Sequence, residues 1–587
     1  MNDKHEASQK AQSGPSFRLA AFFTLWPAIL GIAFAQFLLG LGFIGNGNAT
    51  LVTLVLFVAQ DYSGAVLFGV AVLAALLLAR KTNFQKLLDL DAARSNRAIA
   101  VMAFVGALAA WGTARLVFHG YGLSLDEYLP MFQAEILRHG QLLAPLSPDV
   151  MPFHKYLQPI FTYTDEARGL WASQYRPGHA ILLALMPSLG GINLLNALLT
   201  AISVFALASI TRRLWPERAE MPILAVALFL VSPQVLVTAG AGFSYPAHLA
   251  FNLVWLALFL KGVYEDRLSA HIAAALVGAY AIGLHQVHVH PLFAAPFLAL
   301  LLIGSLGRRV HLLPYIVLYA IFLPIWVLWP ELGVWVTTGD TSALPRHLAE
   351  VNYLADFLRY SSGVDHSEAP YRRFFLVANL LRYALWLSPA VILLSIAALL
   401  RPSRLGAVVW AALASTALTI VANHVLMPNQ MLTWGARYYH PVIGNMILLA
   451  LSGYVVLREA KDDPVARRVI EVAVLLIFAS AALLLPQRML QVNEKVAPRA
   501  AVQKSIDAID ADVVVIKNLP IWFSLDFVRN SPYLTNRPII LFLWGDKPIP
   551  KPDELPGPMK GARIHVLTAQ ELTDFGLPSG TLYEPAR

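Results

Sequence analysis

No cysteine occurs among the 587 residues. A disulfide framework and a thiolate metal site are therefore excluded, although a missing residue type does not assign a redox compartment. Charge is scarce as well. Asp, Glu, Lys and Arg make up 14% of the chain against 57% hydrophobic residues, where an ordinary soluble domain carries about 25% charged residues. The mean hydropathy of +0.59 places the chain among integral membrane proteins. The net charge of +8 forms no basic face, because Lys and Arg fall in short loops between apolar runs, and this argues against nucleic acid as a partner. The apolar runs lack the alternation of a membrane barrel, and there is no tandem repeat to read. What remains is an all-α polytopic membrane protein.

The apolar runs are long enough to cross about 30 Å of hydrocarbon. They predict about thirteen spans, near 19–43, 63–80, 98–117, 180–210, 221–240, 246–261, 270–285, 291–306, 312–331, 375–400, 405–426, 438–457 and 468–486. Lys4, Lys10 and Arg18 precede the first run, which exceeds a cleavable signal core and reads as an uncleaved helix. Alternate loops hold Arg80, Lys81, Lys86, Arg94 and Arg97, then Arg212, Arg213 and Arg218, then Lys261 and Arg267. The series continues with Arg308 and Arg309, Arg401 and Arg404, and Arg458, Lys461, Arg467 and Arg468. The positive-inside rule puts these loops in the cytoplasm. A first loop, 118–179, a second, 333–374, and the tail are then extracytoplasmic. Residues 1–486 read as the membrane module, with outer juxtamembrane helices. Residues 487–587 read as a small α/β domain, with a helix-like stretch at 499–509 and β-rich runs at 512–516, 539–544 and 563–567.

The first loop carries Ser124-Leu125-Asp126-Glu127-Tyr128 ahead of an expected interfacial helix, 128–139. A carboxylate at a membrane surface can take a proton from an attacking hydroxyl or hold a divalent ion. The alternative is that Asp126 and Glu127 only complement a helix N-terminus. A second pair, Asp165-Glu166, lies in the same loop, either sharing a metal or binding an acceptor, or forming a solvated turn. Arg168 and Arg176 lie nearby and could grip a phosphate.

Leu125-Asp126-Glu127-Tyr128, with Ala134-Glu135-Ile136-Leu137 and Gly140, resembles the first outer loop of the GT-C superfamily of polyprenyl-phosphate-sugar-dependent glycosyltransferases. It is similar to the branch of protein O-mannosyltransferases and lipid A aminoarabinose transferases. Tyr175-Arg176-Pro177-Gly178-His179 and Trp434-Gly435-Ala436-Arg437-Tyr438-Tyr439-His440-Pro441 fit the same picture. The resemblance implies Asp126 as catalytic carboxylate, Glu127 as helper or metal ligand, inversion at the anomeric carbon and a lipid phosphate leaving group. A divalent cation, Mg or Mn, would sit at Asp126 and Glu127. The basic residue followed by two prolines that the family keeps in this loop is replaced by His154-Lys155-Tyr156-Leu157-Gln158-Pro159, which leaves Lys155 as the phosphate contact to be examined.

Other residues compete for a role. Arg437, with Tyr438 and His440, stands where outer loops are otherwise poor in positive charge; it reads either as an interfacial anchor or as a guanidinium for a departing phosphate. Tyr175 and Arg176 belong to the second motif. His285, His288 and His290 end the seventh span and read as metal ligands, substrate contacts or structural residues. Tyr245 and His248 lie in a Gly- and Pro-bearing turn that could line the site. The stretch with Tyr353, Arg359, Tyr360, Asp365, Tyr371, Arg372 and Arg373 is expected to pack as surface helices over the cavity.

The resulting expectation is a monomeric, inverting glycosyltransferase of the bacterial inner membrane with its site on the periplasmic side. It would move one sugar from a polyprenyl phosphate to a glycolipid such as lipid A or lipopolysaccharide, a cell-wall polysaccharide or a protein, among membrane lipids. The alternatives are a polysaccharide polymerase or ligase using lipid-diphosphate glycans, and a lipid or sugar transporter. A transporter needs polar groups near the bilayer midplane, whereas the charged candidates here gather at one face.

Overall fold

With no water in hydrocarbon to satisfy backbone amides, a chain this apolar can span only as helices or a closed barrel. The computed structural model describes residues 19–45, 55–79, 84, 92–186, 191–340, 342, 371–430, 434–460, 462–517, 519, 524–545 and 547–577. Among these residues, nine helices are long and apolar enough to cross a membrane. Two bent helix pairs raise the number to as many as eleven. Two shorter apolar helices, Leu268–Ile282 and Val289–Leu302, stand where the seventh and eighth spans were expected. The expected span 180–210 is instead a short helix, Gly178–Ala184, followed by a separate span, Ile192–Leu214. Most of the expected surface segment 333–374 lies outside the described residues.

The two bent pairs have one cause. Met221–Leu230 and Pro233–Gly240 meet at 57°, and Arg372–Trp386 and Pro389–Leu399 meet at 108°. Each break carries Ser-Pro, Ser232-Pro233 and Ser388-Pro389. Proline has no N–H to give and forces the residue before it out of helical conformation. The polar groups freed by the breaks serve one another: Ser232 Oγ donates to Leu228 O (2.7 Å) and accepts from Ser388 N (3.1 Å). Ser388 Oγ pairs with Ser480 Oγ at 2.8 Å. The two breaks therefore meet in the buried interior, and Gln234 and Trp386, next to them in sequence, reach the turn at Gly435.

A second buried polar cluster fastens the N-terminal hairpin to this assembly. Asp61, in a π-turn opening the second span, takes Arg382 Nε at 2.8 Å, Trp386 Nε1 at 2.6 Å and Arg488 Nη1 at 3.5 Å. Gly64 is required here, since the Arg488 guanidinium occupies the space a Cβ would take. Arg488 also gives Nη1 to Gln60 O (3.1 Å) and lies 4.6 Å from the centre of the Trp386 ring.

On the loop face, strand Leu170–Ser173 lies between Ala144–Pro145 and Thr162–Asp165, antiparallel to both. The expected helix 499–509 is not separate. It is the end of a run from Pro464 to Asp507 that leaves the membrane without stopping. Beyond it, strand Val513–Lys517 pairs in parallel with Ile539–Leu543 and Ile564–Leu567 on its two sides. One face of this sheet shares a core with the first loop, in which Val513, Val515 and Leu541 meet Leu129, Phe132 and Trp171. Hydrogen bonds fix the seat: Trp171 Nε1 donates to Pro532 O (3.0 Å), Tyr128 Oη to Asn530 O (2.7 Å) and Asn530 Nδ2 to Leu157 O (2.7 Å).

Asp61→Asn leaves two buried guanidiniums facing each other without a counter-charge. It is expected to cost about 3 kcal/mol or more, read as a lowered thermal midpoint of the purified protein. Asp61→Glu should recover part of the loss; a midpoint unchanged in Asp61→Asn would show that the cluster does not hold the hairpin.

Candidate active site

The sequence around Asp126 opens a helix, Leu125–Arg138, that begins at Ser124 without a side-chain cap of its own. The cap comes from the far end of the chain: Asp526 Oδ1 accepts Leu125 N at 2.8 Å. A carboxylate at a helix N-terminus satisfies an orphan amide and faces the positive end of the dipole. Asp126 then stands on the first turn with its side chain 21% exposed.

Both carboxylate oxygens of Asp126 are engaged. Tyr175 Oη donates to Oδ1, and Arg437 Nη1 lies 3.2 Å from Oδ2. The guanidinium is nearly enclosed, with its side chain 4% exposed, and donates from Nη2 to Tyr438 Oη at 3.0 Å. Aromatic faces surround it, with ring centres of Tyr438 at 4.8 Å, Phe243 at 5.0 Å and Tyr245 at 6.0 Å. Such faces favour a cation electrostatically and keep water from it. His285 completes the wall, its ring centre 4.3 Å from that of Tyr175. Burial pushes the His285 imidazole down to about 4, so it is neutral near pH 7.

Arg437 owes its position to the turn before it. Gly435 sits at φ 57°, and a side chain there would run into Gln234 and Trp386. Gln234 clamps the turn from both sides, donating to Trp434 O (3.1 Å) and accepting from Ala436 N (3.0 Å). Trp386 links the same turn to Asp61.

Of the residues singled out in the sequence, the structure brings together Asp126, Tyr175, Arg437, Tyr438 and Tyr245. Glu127 points elsewhere: it is buried, and its Oε2 accepts Gly242 N at 2.8 Å. Asp165 is taken by Arg168, whose Nη1 is 2.7 Å away and whose Nε reaches Asp340 at 3.2 Å, so Asp165, Asp340 and Arg168 form a cluster of their own. Glu166 is 69% exposed, 4.0 Å from His154. Lys155 is exposed. Arg176 is half-buried within electrostatic reach of His285 and His288. His248 and His440 are fully buried, and neither ring nitrogen of His248 has a partner among the described residues. His288 lies beside Asn423. His290 is held by Asn252 (2.8 Å) and Tyr319 (2.7 Å), which accounts for it structurally. Gln234 and Asp526 were not visible as site residues in the sequence, whereas Phe243 belongs to the turn with Tyr245 and His248 that was expected to line the site.

A divalent cation does not fit this arrangement. Among the described residues no three His, Asp or Glu side chains converge as ligands. Glu127 faces away from Asp126, whose own oxygens are occupied by a phenol and a guanidinium.

The chain matches no protein-family model and no curated protein. Solved structures similar to it include ArnT from Cupriavidus metallidurans bound to undecaprenyl phosphate, at 14% identity over 74% of this chain and 84% of that one, TM-score 0.42. The archaeal oligosaccharyltransferase AglB from Archaeoglobus fulgidus, solved with an inhibitory peptide and a dolichol-phosphate, is similar at 11% identity over 75% of this chain and 64% of that one, TM-score 0.41. The arabinofuranosyltransferase AftD from Mycobacteria is similar at 15% identity over 76% of this chain and 31% of that one, TM-score 0.36.

The buried acids give a pH signature. Burial, opposed by the Gly242 amide and Arg529, pushes the Glu127 carboxyl up to about 7; burial, opposed by the Leu125 amide and Arg529, does the same to Asp526. An acid with a raised folded-state pKa binds its proton more tightly when folded. Its stabilisation is full below the unfolded value of about 4 and is lost as pH rises through the folded value. Buried imidazoles such as His285 act in the opposite sense over this range, so the contribution of Glu127 is read as a difference: the midpoint of Glu127→Gln relative to that of the wild type should rise between pH 5 and pH 8. An unchanged difference at the two pH values would remove Glu127 from the account.

Proposed function

We propose that the chain is a membrane glycosyltransferase of the GT-C type, moving a single sugar from a polyprenyl phosphate to an extracytoplasmic acceptor hydroxyl. The observation that carries this reading is the Asp126–Arg437 pair: a partly exposed carboxylate and an enclosed guanidinium 3.2 Å apart, at the membrane end of a loop whose motifs resemble that superfamily. The arginine-rich loops at the opposite face support an extracytoplasmic site by the positive-inside rule.

The chemistry uses both partners. The acceptor oxygen attacks the anomeric carbon from the side opposite the phosphate, the bond from that carbon to the phosphate oxygen breaks, and its electron pair leaves with the phosphate. The acceptor's proton goes to Asp126 as general base. Protonation cancels the charge that Arg437 faced in the resting site, which frees the guanidinium for the phosphate as negative charge builds there. Tyr175, hydrogen-bonded to Asp126, orients the carboxylate. We assign the acceptor to the glycolipids, polysaccharides or proteins outside the cytoplasmic membrane, and the working unit to a monomer.

The test is transfer of labelled sugar from a panel of polyprenyl-phosphate sugars by the purified protein in lipid. Asp126→Asn should lower kcat by about 10²- to 10⁴-fold. Arg437→Gln should lower it by about 10²- to 10³-fold, with little recovery in Arg437→Lys, which loses the planar fork. Turnover unaffected by Asp126→Asn would move the base elsewhere. Transfer from lipid-diphosphate glycans, with none from any monophosphate donor, would replace this reading with that of a polymerase or ligase.

A further inference from the structure

Far from Asp126, the second span leaves a groove open to the membrane. Its floor is made of small or buried residues, Ala65, Gly69 and Val72, with Ala65 and Val72 at 1% and 3% exposure. Val70 and Leu73 stand along its rim, 54% and 59% exposed. The first helix closes the far side through Pro27 and Leu30, and it packs closely at Gly69, where a Cβ would lie 2.8 Å from Leu30 Cδ1. The groove has a volume of about 520 Å³. Tyr62, stacked on Phe37 with ring centres 4.1 Å apart, marks the end nearer the first-loop face.

The other end carries one cation. Arg468, on the second turn of Pro464–Ala479, lines the groove beside Leu76 and Leu77. One of its donors has an intramolecular purpose: Nη2 gives to Leu76 O at 3.1 Å, satisfying a carbonyl at the end of the second span. Helix capping leaves the rest of the fork unexplained, since a guanidinium has five N–H donors and Nε is buried with no partner among the described residues. Leu76 and Leu77 belong to the last turn of a span that leads into the arginine-rich loops, so this guanidinium sits at the headgroup level of that leaflet. An apolar channel ending on an arginine with donors to spare is complementary to an apolar chain ending on a phosphate.

We propose that this groove is a binding site for an anionic phospholipid of the leaflet on the arginine-rich side, with one acyl chain along Ala65, Gly69 and Val72 and the phosphate on Arg468. The site is separate from the Asp126 centre and does not depend on the reaction proposed there. A bound lipid would fill the space between the first hairpin and the bundle, and so brace the same hairpin that Asp61 fastens at its other end.

Native mass spectrometry of the purified full chain, titrated with phosphatidylglycerol or phosphatidylcholine, tests the assignment without a transfer assay. Phosphatidylglycerol should be retained more tightly by about fivefold, one headgroup-level cation's worth. Arg468→Gln should abolish that preference, and Arg468→Lys should keep most of it. Val70→Trp, placed on the open rim where it disturbs no buried contact, should fill the groove and remove the retained lipid of either kind. Undiminished preference in Arg468→Gln, or undiminished retention in Val70→Trp, would overturn the site. Retention of polyprenyl phosphate in preference to phosphatidylglycerol would overturn the choice of ligand.

Discussion

Arg437 and Asp126 are 311 residues apart in sequence and 3.2 Å apart in space, and the arrangement of the loop face depends on that contact. A guanidinium enclosed by Phe243, Tyr245 and Tyr438 has lost most of its water, a loss that its neighbours must offset. The carboxylate supplies the charge, the Tyr438 hydroxyl supplies a hydrogen bond, and the rings supply their faces. Asp126 is the partly exposed member of the pair and Arg437 the enclosed one, so one partner meets solvent while the other is held dry.

The same constraint, that buried polar groups need partners, shapes the bundle beneath. Two Ser-Pro breaks would each expose backbone groups if they lay in hydrocarbon alone; they meet instead, and Ser232, Ser388 and Ser480 exchange the hydrogen bonds that the prolines forfeit. The break at Ser388 places Trp386 between Asp61 and Gly435. A charge cluster in the second span therefore reaches the turn carrying Arg437 through a single indole.

The helical architecture was legible because long apolar runs and alternating basic loops are set by the membrane itself. Asp126, Tyr175 and Arg437 were legible from short motifs and, for Arg437, from the rarity of positive charge on that face. Glu127 was misplaced for a geometric reason: neighbours on a helix point about 100° apart, so a pair in sequence is not a pair in space, and the second carboxylate faces Gly242. Asp165 and Glu166 part company in the same way at the end of a strand, where successive side chains alternate. Gln234 gives no signal at all, since one amide in an apolar run has no pattern. Asp526, some 400 residues from the amide it caps, lies beyond what any local motif can show.

That cap gives the C-terminal region a part in the site. Leu125–Arg138 begins on Ser124 with no side chain of its own to satisfy the first amide, and Asp526 fills the vacancy from the strand-bearing tail. Arg529 reinforces it, lying 4.0 Å from the centre of the Tyr121 ring and donating to Gly122 O just ahead of the helix. Both ends of the stretch that presents Asp126 are thus held by residues of one short turn, 526–530, with Asn530 taking Tyr128 on the other side. A tail that merely covered the loop would need the shared apolar core and nothing more. Hydrogen bonds placed at the first turn of the helix, at the residue before Asp126, instead tie the position of that turn to the seating of the tail.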